Sequence, residues 1–125
     1  MCSHLEMKIE VSNGEIVDKL TILEIKKENS DGEKLKNVME ELNYLKPIVE
    51  ELNIPKNIID KLRKVNKRLW DIEDLLRLAE RKQHFDRQFI TLARSVYQTN
   101  NERFLLKTTI NKITGSRLIE EKIHP

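Results

Sequence analysis

The chain has 125 residues, of which 35% are Asp, Glu, Lys or Arg, 38% are apolar and 5% aromatic, with three glycines and three prolines. A many-stranded sandwich or barrel is excluded, because it needs a Gly- or Pro-built turn every 8–12 residues or so, and so is a dinucleotide-binding sheet, which needs more length and glycine-rich phosphate turns. What remains is an all-α chain, expected as a single-domain bundle of four to five helices with one long central helix.

Residues 1–11 show no helical period; Met7, Ile9 and Val11 alternate with Lys8 and Glu10 as in a short extended lead-in. Ser12-Asn13-Gly14-Glu15 has capping-box spacing and predicts a first helix ending near Lys27 or Glu28. Ser30-Asp31-Gly32-Glu33 repeats the signal ahead of a second helix with Leu35, Val38, Met39, Leu42 and Leu45 on one face. Pro47 is expected to kink or end it, since proline lacks the amide donor. Pro55 then opens the third helix. There Ile58, Leu62, Val65, Leu69, Ile72, Leu76 and Ala79 form an unbroken seam stepping by four and three, which predicts one long spine from Pro55 to Lys82. Phe85, Phe89, Leu92, Ala93 and Val96 define a fourth helix. Thr99-Asn100-Asn101-Glu102 has capping-box spacing again, and a fifth helix follows to a stop near Gly115. The last ten residues read as a tail or a short docking segment.

Motifs that carry chemistry are absent: the sequence holds no CxxC, HExxH, GxGxxG or P-loop. His4, His84 and His124 lack metal-ligand spacing, so neither a metal nor a cofactor is expected. The lone Cys2 has no disulfide partner within the chain, no apolar run nears the ~20 residues of a membrane span, and no signal-peptide pattern opens the sequence. A cytoplasmic location is therefore expected.

Charge is distributed unevenly. Residues 1–53 carry 7 basic and 12 acidic side chains, and residues 54–125 carry 16 and 9. Halves of opposite sign attract, within one chain or across a homodimer. The basic run from Lys61 to Arg68 resembles a nucleic-acid patch, but phase places Lys61, Arg63, Lys64, Lys67 and Arg68 on the side of the helix away from Leu69, with no interleaved aromatics. A solvated face is expected there rather than a nucleic-acid partner.

Polar residues beside apolar stripes carry more information. Asp18, Lys19 and Glu24 lie on a first helix that is apolar on two sides. Asn66, Glu73 and Arg77 flank the seam of the third on the side of Trp70, with Asp74 next to them. Arg94 is phased with Ile90 and Tyr97, and Arg103, Lys107 and Asn111 form one row. A buried charge costs several kcal/mol unless paired, roughly speaking. Two outcomes are open. The charges meet in a structural ion-pair network that fixes helix register. Otherwise Arg94, Arg103 and Lys107 hold a phosphate or carboxylate between helices, with Glu73 or Glu24 as acid or base and Trp70 and Tyr97 as a stacking wall.

Four blocks also carry a resemblance. Gly14 to Lys26, Leu69 to Asp74, Leu92 to Tyr97, and Gly115-Ser116 followed by Glu120-Glu121-Lys122 are similar to the signature of a small bacterial and phage family of helical proteins, a domain of unknown function. Members of that family tend to sit near genes for glycosyltransferases and surface-polysaccharide assembly. The resemblance implies a cytoplasmic helper in glycan synthesis with a glycosyltransferase-type partner, or a small binder of a phosphorylated metabolite. It assigns no catalytic residue. An all-helical chorismate mutase shares the fold class, but its cation spacing along the first helix is not matched here. A non-catalytic interaction protein ranks first, and a small enzyme or sensor of an anionic metabolite second.

Overall fold

Four α-helices hold all the regular structure in the computed structural model of the chain, which describes residues 6–124. They are α1 (Asn13–Glu28), α2 (Gly32–Glu51), α3 (Lys56–Lys82) and α4 (Arg87–Thr114). Cys2 and His4 lie outside the described residues. Residues 6–11 run in without regular secondary structure.

Local chemistry explains the boundaries. The Ser12 hydroxyl accepts from the Glu15 amide at 3.2 Å and starts α1. Ser30 does not cap α2. It donates to the Lys26 carbonyl at 2.7 Å and so serves the end of α1. Pro55 occupies the N-cap of α3. Asp86 caps α4 through the Phe89 amide at 3.1 Å, and Gly115, at φ 64°, ends it in the left-handed conformation that favours glycine.

Two expectations need correction. Pro47 does not end α2, which runs through it to Glu51. Leu42 and Val49 are both buried, one on each side of Pro47, so packing holds the helix where one backbone hydrogen bond is missing. Pro47 itself is exposed, and so is Asn43, whose carbonyl lacks that bond. The expected fourth and fifth helices are one. The Thr99–Glu102 spacing lies inside α4, and Thr99 is buried at 3% exposure. No Gly or Pro interrupts residues 87–114, so nothing breaks the chain where the cap signal falls.

The long spine also needs qualifying. α3 has 27 residues and α4 has 28, and the two pack along each other as a hairpin. The element that meets every other is the 16-residue α1, while α2 packs on α1 alone. This explains why α1 is apolar on two sides. Val17, Leu20 and Leu23 join Leu42 and Val49 of α2, Leu62 of α3 and Ile110 of α4 in one core. Every member of that core is aliphatic.

The core occupies only one end of the α3–α4 hairpin, here called the base. The last buried residue of α3 is Ile72 and the first of α4 is Thr99. No residue from Glu73 to Gln98 is buried. This part is an arm, which at 1.5 Å per helical residue projects about 15–18 Å beyond the base.

Candidate functional site

The base is organised around Asp18, 1% exposed on α1. Gly14 sets the geometry. A Cβ there would lie 2.5 Å from the Lys107 carbonyl oxygen, so only glycine lets the start of α1 rest directly on α4. The Gly14 amide donates to Asn111 Oδ1 at 2.6 Å, and Asn13 donates through its backbone amide to Ser116 Oγ and through its side chain to Thr114 Oγ1. With α1 pinned in this register, Asp18 faces Arg103. The guanidinium grips the carboxylate with two bonds, Nε to Oδ1 at 2.9 Å and Nη2 to Oδ2 at 2.5 Å. Asn66 of α3 supplies a third donor to Oδ1 at 2.9 Å and also donates to Thr21 Oγ1 at 2.8 Å. Thr21 in turn donates to the Asp18 carbonyl.

One turn away, the buried Lys107 ammonium meets Glu15 at 2.7 Å and Glu120 of the tail at 2.9 Å. Burial pulls its pKa down, but hydrogen bonds to the two glutamates and the field of Asp18 outweigh burial, and the net shift is upward. The bonds to Asp18 likewise raise Arg103 against the opposing cost of burial. The tail docks on the chain itself: Lys122 lies over the Phe104 ring at 5.8 Å, and Arg117 pairs with Glu10. Beside the network is a cleft of about 410 Å³ lined by Asn100, Arg103, Phe104, Lys107 and tail residues Glu120 to Lys122.

The arm has a different chemistry. Trp70 at its root, Phe85 and Phe89 at its tip and Tyr97 along α4 are four of the six aromatic residues in the chain. Phe85 and Phe89 meet edge to face, with centroids 5.1 Å apart. Phe85, Ile90 and Tyr97 are 51%, 57% and 57% exposed, and Leu75 and Leu78 of α3 are exposed as well.

The family of unknown function DUF6165 matches residues 7–124. The chain belongs to this family. No curated protein and no solved structure matches it.

In this DUF6165 protein the residues picked out in the sequence fall into two groups. Asp18, Arg103, Lys107 and Asn111 form the base network, joined by Asn66. Glu24 belongs to a neighbouring cluster with Arg63 and Asp60, at 2.9 and 2.6 Å. The placement of Arg63 on a solvated far face is thus corrected. It is half-buried and reaches back to α1; burial is the largest single influence and lowers its pKa, but the bonds and charges of Glu24 and Asp60 together outweigh it, and the net shift is upward. Arg68 also has a specific partner, Glu102 of α4 at 2.9 Å. Lys19 pairs at the surface with Glu41 of α2.

Trp70, Glu73, Asp74, Arg77, Arg94 and Tyr97 instead lie on or at the root of the arm. Glu73 and Arg77 approach each other at 3.7 Å in the open. Arg94 is exposed and nine residues from Arg103, about 13 Å along the helix axis, so the two do not converge on one anion. Sequence reasoning missed Glu15, Thr21 and Glu120 as network members. Glu15 had a signal, since it precedes Asp18 by three and shares its face, but the cap motif accounted for it. Glu120 had none, because an irregular tail has no period to phase. No cluster of His, Cys, Asp or Glu among the described residues has the form of a metal site, and no helix is long and apolar enough to cross a membrane.

Proposed function

We propose that this is a non-catalytic interaction protein whose working surface is the arm, with the buried network as the device that holds the base rigid beneath it. One observation carries this reading: the core is wholly aliphatic, whereas Phe85, Phe89 and Tyr97 sit on a projecting hairpin segment with no buried residue, and Trp70 stands at its root. Aromatic and arginine side chains on an exposed surface are the composition of a binding face, because they bring large contact area at low entropic cost. The arm adds Arg77 and Arg94 to that set.

The competing reading, an enzyme or sensor of an anionic metabolite in the base cleft, meets an electrostatic obstacle. Arg103 and Lys107 already face Asp18, Glu15 and Glu120, and Glu121 lines the same cleft. An incoming phosphate would confront carboxylates and would have to displace a bidentate ion pair.

A glycosyltransferase-type enzyme of glycan or surface-polysaccharide synthesis, in the cytoplasm, is the first partner to test. Purified with the wild-type chain, such an enzyme is retained, and Ile90→Asp in the arm releases it without lowering Tm. A thermal-shift series with phosphorylated sugars, nucleotides and carboxylates is expected to leave Tm unchanged. A shift that grows with metabolite concentration by mass action would overturn the reading.

A further inference from the structure

In the base, the α3–α4 hairpin has a second face that neither α1 nor α2 covers. Arg63 and Asn66 of α3 and Arg103 and Lys107 of α4 point to α1 and define the front. At about 100° per residue, Arg68 lies roughly half a turn round from Asn66, and Leu105 roughly half a turn round from Lys107. Both therefore belong to the back. There Lys61, Lys64 and Arg68 of α3 and Leu105 and Leu106 of α4 line one groove of about 370 Å³, with Val65 at its bottom.

Polarity and charge on this face are one-sided. Val65, Leu105 and Leu106 give the groove an apolar floor, and Ile113, seven residues after Leu106, continues it. Leu105 and Ile113 are 63% and 51% exposed. The nearby acids are already held: Glu102 by Arg68 at 2.9 Å, Asp71 by Lys67 at 3.2 Å and Asp60 by Arg63 at 2.6 Å. Lys61 and Lys64 are exposed, as is Lys112, two turns after Leu105, and none of the three forms an ion pair among the described residues. The opposite sign gathers elsewhere. α2, which the hairpin meets only through α1, carries five acids against three lysines.

We propose that the back of the base docks on an anionic lipid bilayer, with Lys61, Lys64 and Lys112 at lipid phosphates and Leu105 and Ile113 entering the headgroup region between them. Three uncompensated lysines on one face call for a polyanion, and the acidic α2 turns the rest of the molecule away from it. The exposed aliphatics select lipid over nucleic acid. Against a sugar–phosphate backbone they would lose water and gain no apolar partner, and no aromatic on this face is available to stack on a base. Leu105 and Ile113 also stand eight residues apart, about 12 Å along the helix. A partner helix would need a continuous apolar track, whereas a bilayer accepts separate insertions.

Flotation of the full chain with vesicles tests this without any protein partner, so it stands or falls apart from the reading of the arm. Phosphatidylcholine vesicles with about one-third phosphatidylglycerol retain the wild type, and pure phosphatidylcholine does not. Retention weakens as salt rises. A lysine at an anionic surface is worth about fivefold in partitioning, so Lys61→Gln with Lys64→Gln lowers retention about twentyfold or more, and Lys61→Glu with Lys64→Glu lowers it further. Neither pair shifts Tm, because both side chains stand in water without an ion-pair partner. Leu105→Ser lowers retention severalfold and leaves its salt dependence unchanged. In a Cys2→Ser background, an environment-sensitive fluorophore on Leu105→Cys shifts to the blue with anionic vesicles, and one on Glu40→Cys of α2 does not. The inference is overturned if anionic vesicles fail to retain the chain, if pure phosphatidylcholine retains it equally, if the lysine variants bind as the wild type does, or if the label responds at position 40 instead of 105. Duplex DNA that displaces the vesicles at equal phosphate, and binds Leu105→Ser as tightly as the wild type, would also overturn it in favour of a nucleic acid.

Discussion

The base and the arm are built from the same two helices, yet they use charge and bulk in opposite ways. In the base, α1 lies on α3 and α4 and is covered in turn by α2, the core is aliphatic, and Asp18 and Lys107 are buried among named partners. In the arm nothing is buried, aromatic and aliphatic side chains are both exposed, and charges stand in water. Stability therefore resides in the base, and the arm is the surface proposed for recognition. A 26-residue hairpin segment that buries no residue contributes little to its own stability and gains its order from the base below it.

Asp18→Ala is expected to show the largest effect. It leaves Arg103 partly buried without its carboxylate and removes the acceptor of Asn66, and such losses cost about 3–5 kcal/mol. The Tm should fall by roughly 10 °C or more for a chain of this size. A double-mutant cycle with Arg103→Met should be strongly non-additive, since both changes remove one interaction. Additive losses would mean that the pair does not act as a unit.

Gly14→Ala comes next and is informative through its sign. At an ordinary helical position this change stabilises by up to about 1 kcal/mol. Here the added methyl meets the Lys107 carbonyl, a backbone atom, at 2.5 Å, so α1 must move away from α4. A loss of about 1–3 kcal/mol is expected from the overpacking. A gain in urea denaturation would show that the close approach does not position Asp18.

Lys107 yields a smaller effect confined to alkaline conditions. Its pKa in the fold is raised above the ordinary lysine value of 10.5. The folded state thus binds this proton more tightly than the unfolded state does. The resulting stability is fully present below the unfolded pKa and disappears as pH rises through the folded one. Denaturation midpoints should be insensitive to this group near neutrality and should fall above about pH 10.5, and Lys107→Met should flatten that limb.

How far the sequence revealed this division depends on which residues carried a period. The a/d seam of α3, the caps at Ser12 and Gly115 and the row Arg103–Lys107–Asn111 were legible because each is a local pattern that the fold leaves unopposed. Thr99–Glu102 misled for the same reason. A capping box is a local signal, and helix propagation through an unbroken run overrides it. Phase also identifies which polar residues lie beside an apolar stripe, but not how far along the stripe the cover extends. Arg94 and Arg103 look alike in a helical wheel, although one stands in water and the other grips Asp18. That difference is set by where α1 ends its crossing of the hairpin, which depends on Gly14 against Lys107, a contact between residues 93 apart in the chain.

The smallest expected effect closes the comparison from the arm side. Glu73→Ala removes half of an exposed i,i+4 pair at 3.7 Å, and Ile90→Asp replaces a side chain that is 57% exposed. Each should change stability by no more than about 0.5 kcal/mol. Ile90→Asp should nevertheless release a partner bound by the arm, because its side chain stands on the exposed surface. Hydrogen exchange adds an independent reading: amides from Glu73 to Gln98 should exchange faster than those of α3 and α4 within the base. If Ile90→Asp instead unfolds the chain as Asp18→Ala does, the arm belongs to the folding unit of the base, and its exposed aromatics hold the fold rather than a partner.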